Sequence, residues 1–297
     1  MKHITKLMCV TAFFLSTSCT KVPKEKWDQK TTVQYVPQKK SFPWTPTFVV
    51  ERADVSWNKI GTPKNESVSE NPATCYYEKE EFQTKKATYT NYIYRVHFPK
   101  VPSYYLTGGN NGGLLVLVTC DQKDRPLLVT TVHTCGCFLH FFPTSLLDKA
   151  MYPKEWKEKI RQKNSVISDL EAIPGIVLDV KDKDDLVLFI AKNMHQVSDI
   201  VFQSKQSLQY PECVLQMAPM IDLRKENFFD SNGYVKNNTK LNEFLLMSWW
   251  TFDSKIGQDK DLSKDGPVFY TRLKPGAKKA SDMRDFAQFL SYWGWGL

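Results

Sequence analysis

Between Tyr89 and Cys137 three strand-like runs alternate with two turns, and this stretch constrains the fold more than any other. Tyr89–Phe98 alternates aromatic and β-branched residues with polar ones, the pattern of a half-buried strand. Pro99 and Pro102 end it, and Thr107-Gly108-Gly109-Asn110-Asn111-Gly112-Gly113 reads as a glycine-rich turn. Leu114–Cys120 is a continuous apolar run, Asp121–Pro126 a polar turn, and Leu127 to about Cys137 the return strand of an antiparallel hairpin. A phosphate loop follows a strand and opens a helix bearing lysine. This glycine loop precedes a strand and has no such lysine, so its glycines serve tight turning.

Downstream the signals are helical and mixed. Ser145–Lys163 carries Leu146, Leu147, Ala150, Trp156 and Ile160 on a partly periodic face, broken at Pro153. Short strands are expected at 176–180, 199–202 and 268–273. Asp182 caps an expected helix to Gln196, with Leu186, Ile190 and Met194 at fourfold spacing. Further helices are expected over 239–252 and 280–290. The apolar run Phe244–Trp250 is too short to cross a bilayer and belongs in a core or at an interface. Strands followed by alternating helices and strands give an α+β expectation: an antiparallel hairpin-based sheet packed with several short helices, in a single globular domain over 74–297. Aromatic residues form 13% of the chain, ample for a core of that size.

The first residues carry a different message. Lys2 and Lys6 stand before an apolar run, Leu7–Leu15, followed by Ser16-Thr17-Ser18-Cys19, the order of a secretory signal over 1–18. Leu15-Ser16-Thr17-Ser18-Cys19 resembles the lipobox of bacterial lipoproteins, with Ser16 where a large aliphatic is usual. The resemblance covers the leader alone and implies lipidation at Cys19, with Thr20 favouring the outer membrane; ordinary cleavage after Ser18 is the alternative. Residues 19–73, rich in Lys, Pro, Thr, Ser and Gln, read as a lipid-anchored linker, with Trp27, Trp44 and Trp57 pinning parts of it to the domain. The expected location is therefore the cell envelope, facing the periplasm or cell surface, with a membrane partner and an envelope protein as candidate partners. The formal charge is +8, spread through mixed Lys, Asp and Glu. Without a stripe or motif it gives no reason to expect nucleic acid.

Chemistry concentrates in Thr131–Pro143, where His133, Cys135, Cys137 and His140 fall within a few positions. On an extended strand His133, Cys135 and Cys137 would share a face. Three readings stay open. Thiolate and imidazole suit zinc, copper or iron, with a further ligand from His97, Cys120, Met194, His195, Met217 or Met220. In an oxidising compartment Cys75, Cys120, Cys135, Cys137 and Cys213 are disulfide candidates, Cys75 and Cys213 being natural partners for the central pair. A dithiol beside two histidines can also exchange disulfides or act as a nucleophile. A structural or interaction protein without catalysis is the alternative of a different class. The acidic stretches 179–185 and 259–266 miss the EF-hand pattern and read as solvated turns. The aromatic end, Leu290–Leu297, is expected to pack onto the domain.

Overall fold

The structure, a computed structural model, describes residues 27–154, 173–174, 177–181, 184–204, 208–255, 257–261 and 282–297. The leader, Cys19, the expected strand at 268–273 and residues 155–163 lie outside these. Within them the α+β expectation is corrected: the fold is predominantly β, a large mixed sheet curled into a half-barrel, with few helices. Its meander consists of β5 (Ala73–Gln83), β6 (Thr88–Val101), β7 (Gly109–Cys120), β8 (Pro126–His133) and β9 (His140–Pro143), antiparallel in chain order. The expected hairpin is present as β7–β8. Most of the glycine-rich stretch, however, is strand: β7 starts at Gly109, and the chain turns at 102–108.

Beyond β5 the sheet continues through segments remote in sequence. β13 (Glu212–Pro219) lies parallel to β5, and β1 (Val33–Pro37) lies parallel to β13. β2 (Thr47–Val50) follows β1 antiparallel, β11 (Asp185–Ile190) lies parallel to β2, and β12 (Val197–Gln203) closes that edge. Two further residues, β10 (Ile173–Pro174), pair with β9 at the other edge, and β3 (Thr62–Lys64) and β4 (Ser67–Ser69) form a separate antiparallel pair. Two expectations fail here. Residues 33–50, read as linker, form buried inner strands, because Val33, Tyr35, Phe48 and Val50 supply apolar side chains to the interior. The described residues of the helix expected over 182–196 are instead β11 and the turn that leads into β12. Leu186–Ile190 is an apolar run buried on both faces, so the fourfold spacing inside it carries no helical information.

Alternation along each strand divides the core. Leu114, Val116, Val118 and Cys120 of β7 point into the concave interior with Phe48, Leu188 and Phe202 from the far half. Leu115 and Leu117 point outward beneath α1 (Met220–Lys225), α3 (Phe286–Tyr292) and the C-terminal residues. Asp285 caps α3 by accepting from the Gln288 N–H at 3.0 Å. Trp295 then packs on Phe141, with ring centroids 5.5 Å apart, so the aromatic end does fold back onto the sheet. The curl also brings distant turns together. The loop between β11 and β12 reaches β6 and β8, where His195 stacks flat on Phe98 at 4.0 Å.

Candidate functional site

β8 ends at His133, so the expected alternation of His133, Cys135 and Cys137 along one strand face does not occur. The chain turns instead: the Gly136 N–H donates to the His133 carbonyl at 2.7 Å and the His133 N–H to the Cys137 carbonyl at 2.9 Å. Gly136 at φ 101° supplies the left-handed backbone this turn needs. Close approach by β7 seats the turn, with the Thr134 N–H donating to the Gly113 carbonyl at 2.9 Å. A Cβ at Gly113 would lie 2.5 Å from the Thr134 hydroxyl, so only glycine fits there. The Cys137 N–H donates toward the Cys135 sulfur at 3.5 Å.

The walls come from a segment on which no chemistry was expected. Lys240 and Glu243, bracketing the start of α2 (Leu241–Glu243), both point inward and are buried. The Cys137 thiol donates to Glu243 Oε1 at 3.5 Å. Lys240 Nζ pairs with Asp259 Oδ2 at 3.0 Å, and Asp259 also accepts from the Gly113 N–H at 3.1 Å and from the Thr134 hydroxyl. Asp259, Lys260 and Asp261, read as a solvated turn, are thus buried; Asp259 and Lys260 owe this to Gly113 and Arg95, more than a hundred positions away, and Asp261 to Gly233 and Arg224. Gly257 at φ 83° lets the chain pass Glu243, since a Cβ there would meet its carboxyl carbon at 2.9 Å. Below this group, buried Arg95 donates to His97 Nε2 at 2.8 Å and to the Lys260 carbonyl at 2.9 Å.

Burial alone raises both thiols, and the arrangement splits them. For Cys135 the hydrogen bond from Cys137, the Lys240 ammonium and His133 outweigh burial and hold the thiol well below its ordinary value. Cys137 keeps its proton: the adjacent Cys135 sulfur together with burial pushes its thiol well above the ordinary value. Burial raises Glu243 to about 8, so it holds a proton at neutral pH. Lys240 stays charged because Asp259 and the thiols overcome the burial that opposes it. His133 Nε2 donates to the His195 carbonyl at 3.1 Å, since a carbonyl can only accept. A cavity of about 10 Å³, room for about one water, is lined by Phe98, Thr107, His133, His195, Lys240 and Asp259. Among the described residues the Thr107 hydroxyl and His195 Nε2 are buried without a hydrogen-bond partner.

His140 stands apart from this group. It opens β9 opposite Thr131, lies edge-on to Phe142 at 5.8 Å, and burial lowers it to about 4. Among the described residues no three His, Cys, Asp or Glu side chains are gathered as a metal shell. Cys75, Cys120, Cys135, Cys137 and Cys213 are all free thiols. Cys75, Val96, Leu114 and His133 form one row across β5, β6, β7 and β8, which separates Cys75 from the turn by about 14 Å at normal strand spacing. A disulfide spans Cα atoms less than about 7 Å apart, so the expected partnership of Cys75 with the central pair is sterically closed. Cys213, on the strand beyond β5, is farther still. Comparison with family models, with curated proteins and with solved structures finds no match.

Proposed function

We propose that the chain is an exported envelope protein, tethered through Cys19, whose Cys135-Gly136-Cys137 turn is a thiol–disulfide redox couple. The observation that carries this is the hydrogen-bonded dithiol held against a buried Lys240–Asp259 pair, His133 and Glu243. The Cys135 thiolate attacks one sulfur of a small-molecule disulfide, forming a mixed disulfide and expelling the first thiolate. The first thiolate expelled takes the proton of Cys137, whose thiolate attacks the Cys135 sulfur and expels the second, which solvent protonates. Two electrons pass from the dithiol to the oxidant, and two thiols leave. Both sulfurs are buried, which favours a small oxidant over a protein partner. The ammonium of Lys240 beside the sulfurs disfavours a metal cation there, so the redox reading stands ahead of zinc, copper or iron.

The test is equilibration of the purified chain across a series of reduced-to-oxidised glutathione ratios, followed by alkylation and peptide mass spectrometry. Cys135 and Cys137 should join with loss of two hydrogens at a defined midpoint, while Cys75, Cys120 and Cys213 remain free. Cys135 should be alkylated at a lower pH than the partly exposed Cys213, and Lys240→Met should move that profile upward. Failure of the pair to join under fully oxidising conditions sinks the redox reading and leaves a structural or interaction protein. Near-stoichiometric metal in the wild type, lost in the Cys135→Ser/Cys137→Ser variant, would instead establish a metal site.

A further inference from the structure

The segment that walls the dithiol is amphipathic in the reverse sense. Its only charged residues between 240 and 252, Lys240 and Glu243, face the protein interior. Asn242 also turns inward, donating from its amide to the Ser103 carbonyl at 2.6 Å and the Tyr105 carbonyl at 3.2 Å. Solvent instead meets Leu245, Leu246, Trp249, Trp250 and Phe252, with Leu246 72% and Phe252 88% exposed. Tyr104, 73% exposed, adjoins them through the Asn242 contacts. A soluble helix places its apolar face inward. A contiguous surface of this kind marks a binding face.

We infer that residues 241–252, with the 103–105 loop, form a contact surface for an anionic lipid bilayer. The side-chain chemistry is that of the bilayer interface: leucine and phenylalanine to enter the acyl boundary, tryptophan and tyrosine to sit at headgroup level. No charge interrupts Phe244–Phe252, and exposed lysines stand at both margins. Lys100 pairs with Asn110, whose carbonyl accepts from Asn238 just before the segment, and Lys255 follows it. Two acids lie at this margin: Asp253 accepts from the Lys255 N–H at 3.0 Å, and Asp230 pairs with Lys255 Nζ at 3.1 Å. The chain as a whole carries an excess of base, 40 Lys and Arg against 32 Asp and Glu, complementary to anionic headgroups. Among the described residues no helix is long and apolar enough to cross a membrane. The export reading adds a tether: the run from Cys19 to Val33 reaches at most about 50 Å, which would hold this face near the bilayer.

The full chain carrying Cys19→Ser is mixed with vesicles of phosphatidylcholine alone and of phosphatidylcholine with phosphatidylglycerol, and sedimented. Without a lipid anchor, and independently of any thiol chemistry, it should bind the anionic vesicles. Brominated acyl chains should quench its tryptophan emission. The Trp249→Ser/Trp250→Ser/Phe252→Ser variant, melting at the same temperature because these side chains are exposed, should bind at least about tenfold more weakly and lose the quenched component. Equal binding by the two proteins, as when the apolar leader alone drives association, overturns the assignment. So does the absence of vesicle binding together with a dimer that the triple variant dissolves, which would give the face to a second copy of the chain.

Discussion

The two halves of the sheet share one interior but are assembled in different ways. In the meander, β5 to β9, every strand pairs with its neighbour in sequence. In the far half β13, β1, β2, β11 and β12 come from separate parts of the chain, and three of the joints are parallel. Side chains from both halves meet in the same cluster, Val116 and Val118 with Phe48 and Leu188. Burial is therefore equivalent, while loop closure is not. The lesson is that apolar content decides what joins the core, and chain separation decides when.

The largest expected effects test that difference. Phe48→Ala in β2 and Leu117→Ala in β7 each empty a fully buried position and should cost about 2–5 kcal/mol. Their kinetics should diverge: Leu117→Ala slows folding, while Phe48→Ala chiefly speeds unfolding, as read from chevron plots. Equal slowing of folding by both would show that the halves form together.

The meander buries His97, His133 and His140 and the far half buries His195, and here the comparison sharpens with pH. Burial lowers His140, in the meander, to about 4 and His195, between β11 and β12, to about 3. An unfolded histidine titrates near 6.5, so below that pH the unfolded chain binds more protons. The stability contributed by these residues is full above about pH 6.5 and is lost as pH falls through the folded values. His195→Leu or His140→Leu should each remove about one proton from the slope of unfolding free energy between pH 6 and 4.5, measured in urea. Together they should remove about two protons from the acid limb, leaving the share of His97, which burial also lowers well below its ordinary value; an unchanged limb would place its origin elsewhere. A smaller effect is expected at the turn itself. Gly136→Ala puts a side chain at φ 101° and should cost about 1–3 kcal/mol in thermal melts. A neutral result would mean that the turn relaxes without its left-handed residue.

The same contrast explains what the sequence made legible. Tyr89–Phe98 and Leu114–Cys120 announce a hairpin because their partners are adjacent and their alternation is long. Val33–Pro37 is a short strand, ending in proline, whose partner Cys213 and its neighbours lie far downstream, so its composition resembles linker. Leu186–Ile190 looks helical because a run buried on both faces satisfies any period. Cys135, Cys137 and His133 declare themselves by residue type, and the turn after β8 holds them together, while Cys75, Cys120 and Cys213 lie elsewhere. Lys240, Glu243 and Asp259 do not, because isolated charges are solvated by default and only the curl of the sheet buries them. The available signal was the segment 240–252 itself, where the only two charges stand three apart at the start of an apolar run.

The parallel contact between β1 and β13 has a consequence in time. Gln34 donates to Glu212 across a separation of 178 positions. A ribosome adds about 5–20 residues per second, so β1 waits roughly 10–35 s for the strand it pairs with. Throughout that interval Val33, Tyr35, Phe48 and Val50 form a hairpin with open edges and no interior to enter. The nascent chain thus exposes, early and for long, a segment suited to unwanted strand pairing, and its yield depends on how well that segment is shielded until residues 212–219 emerge.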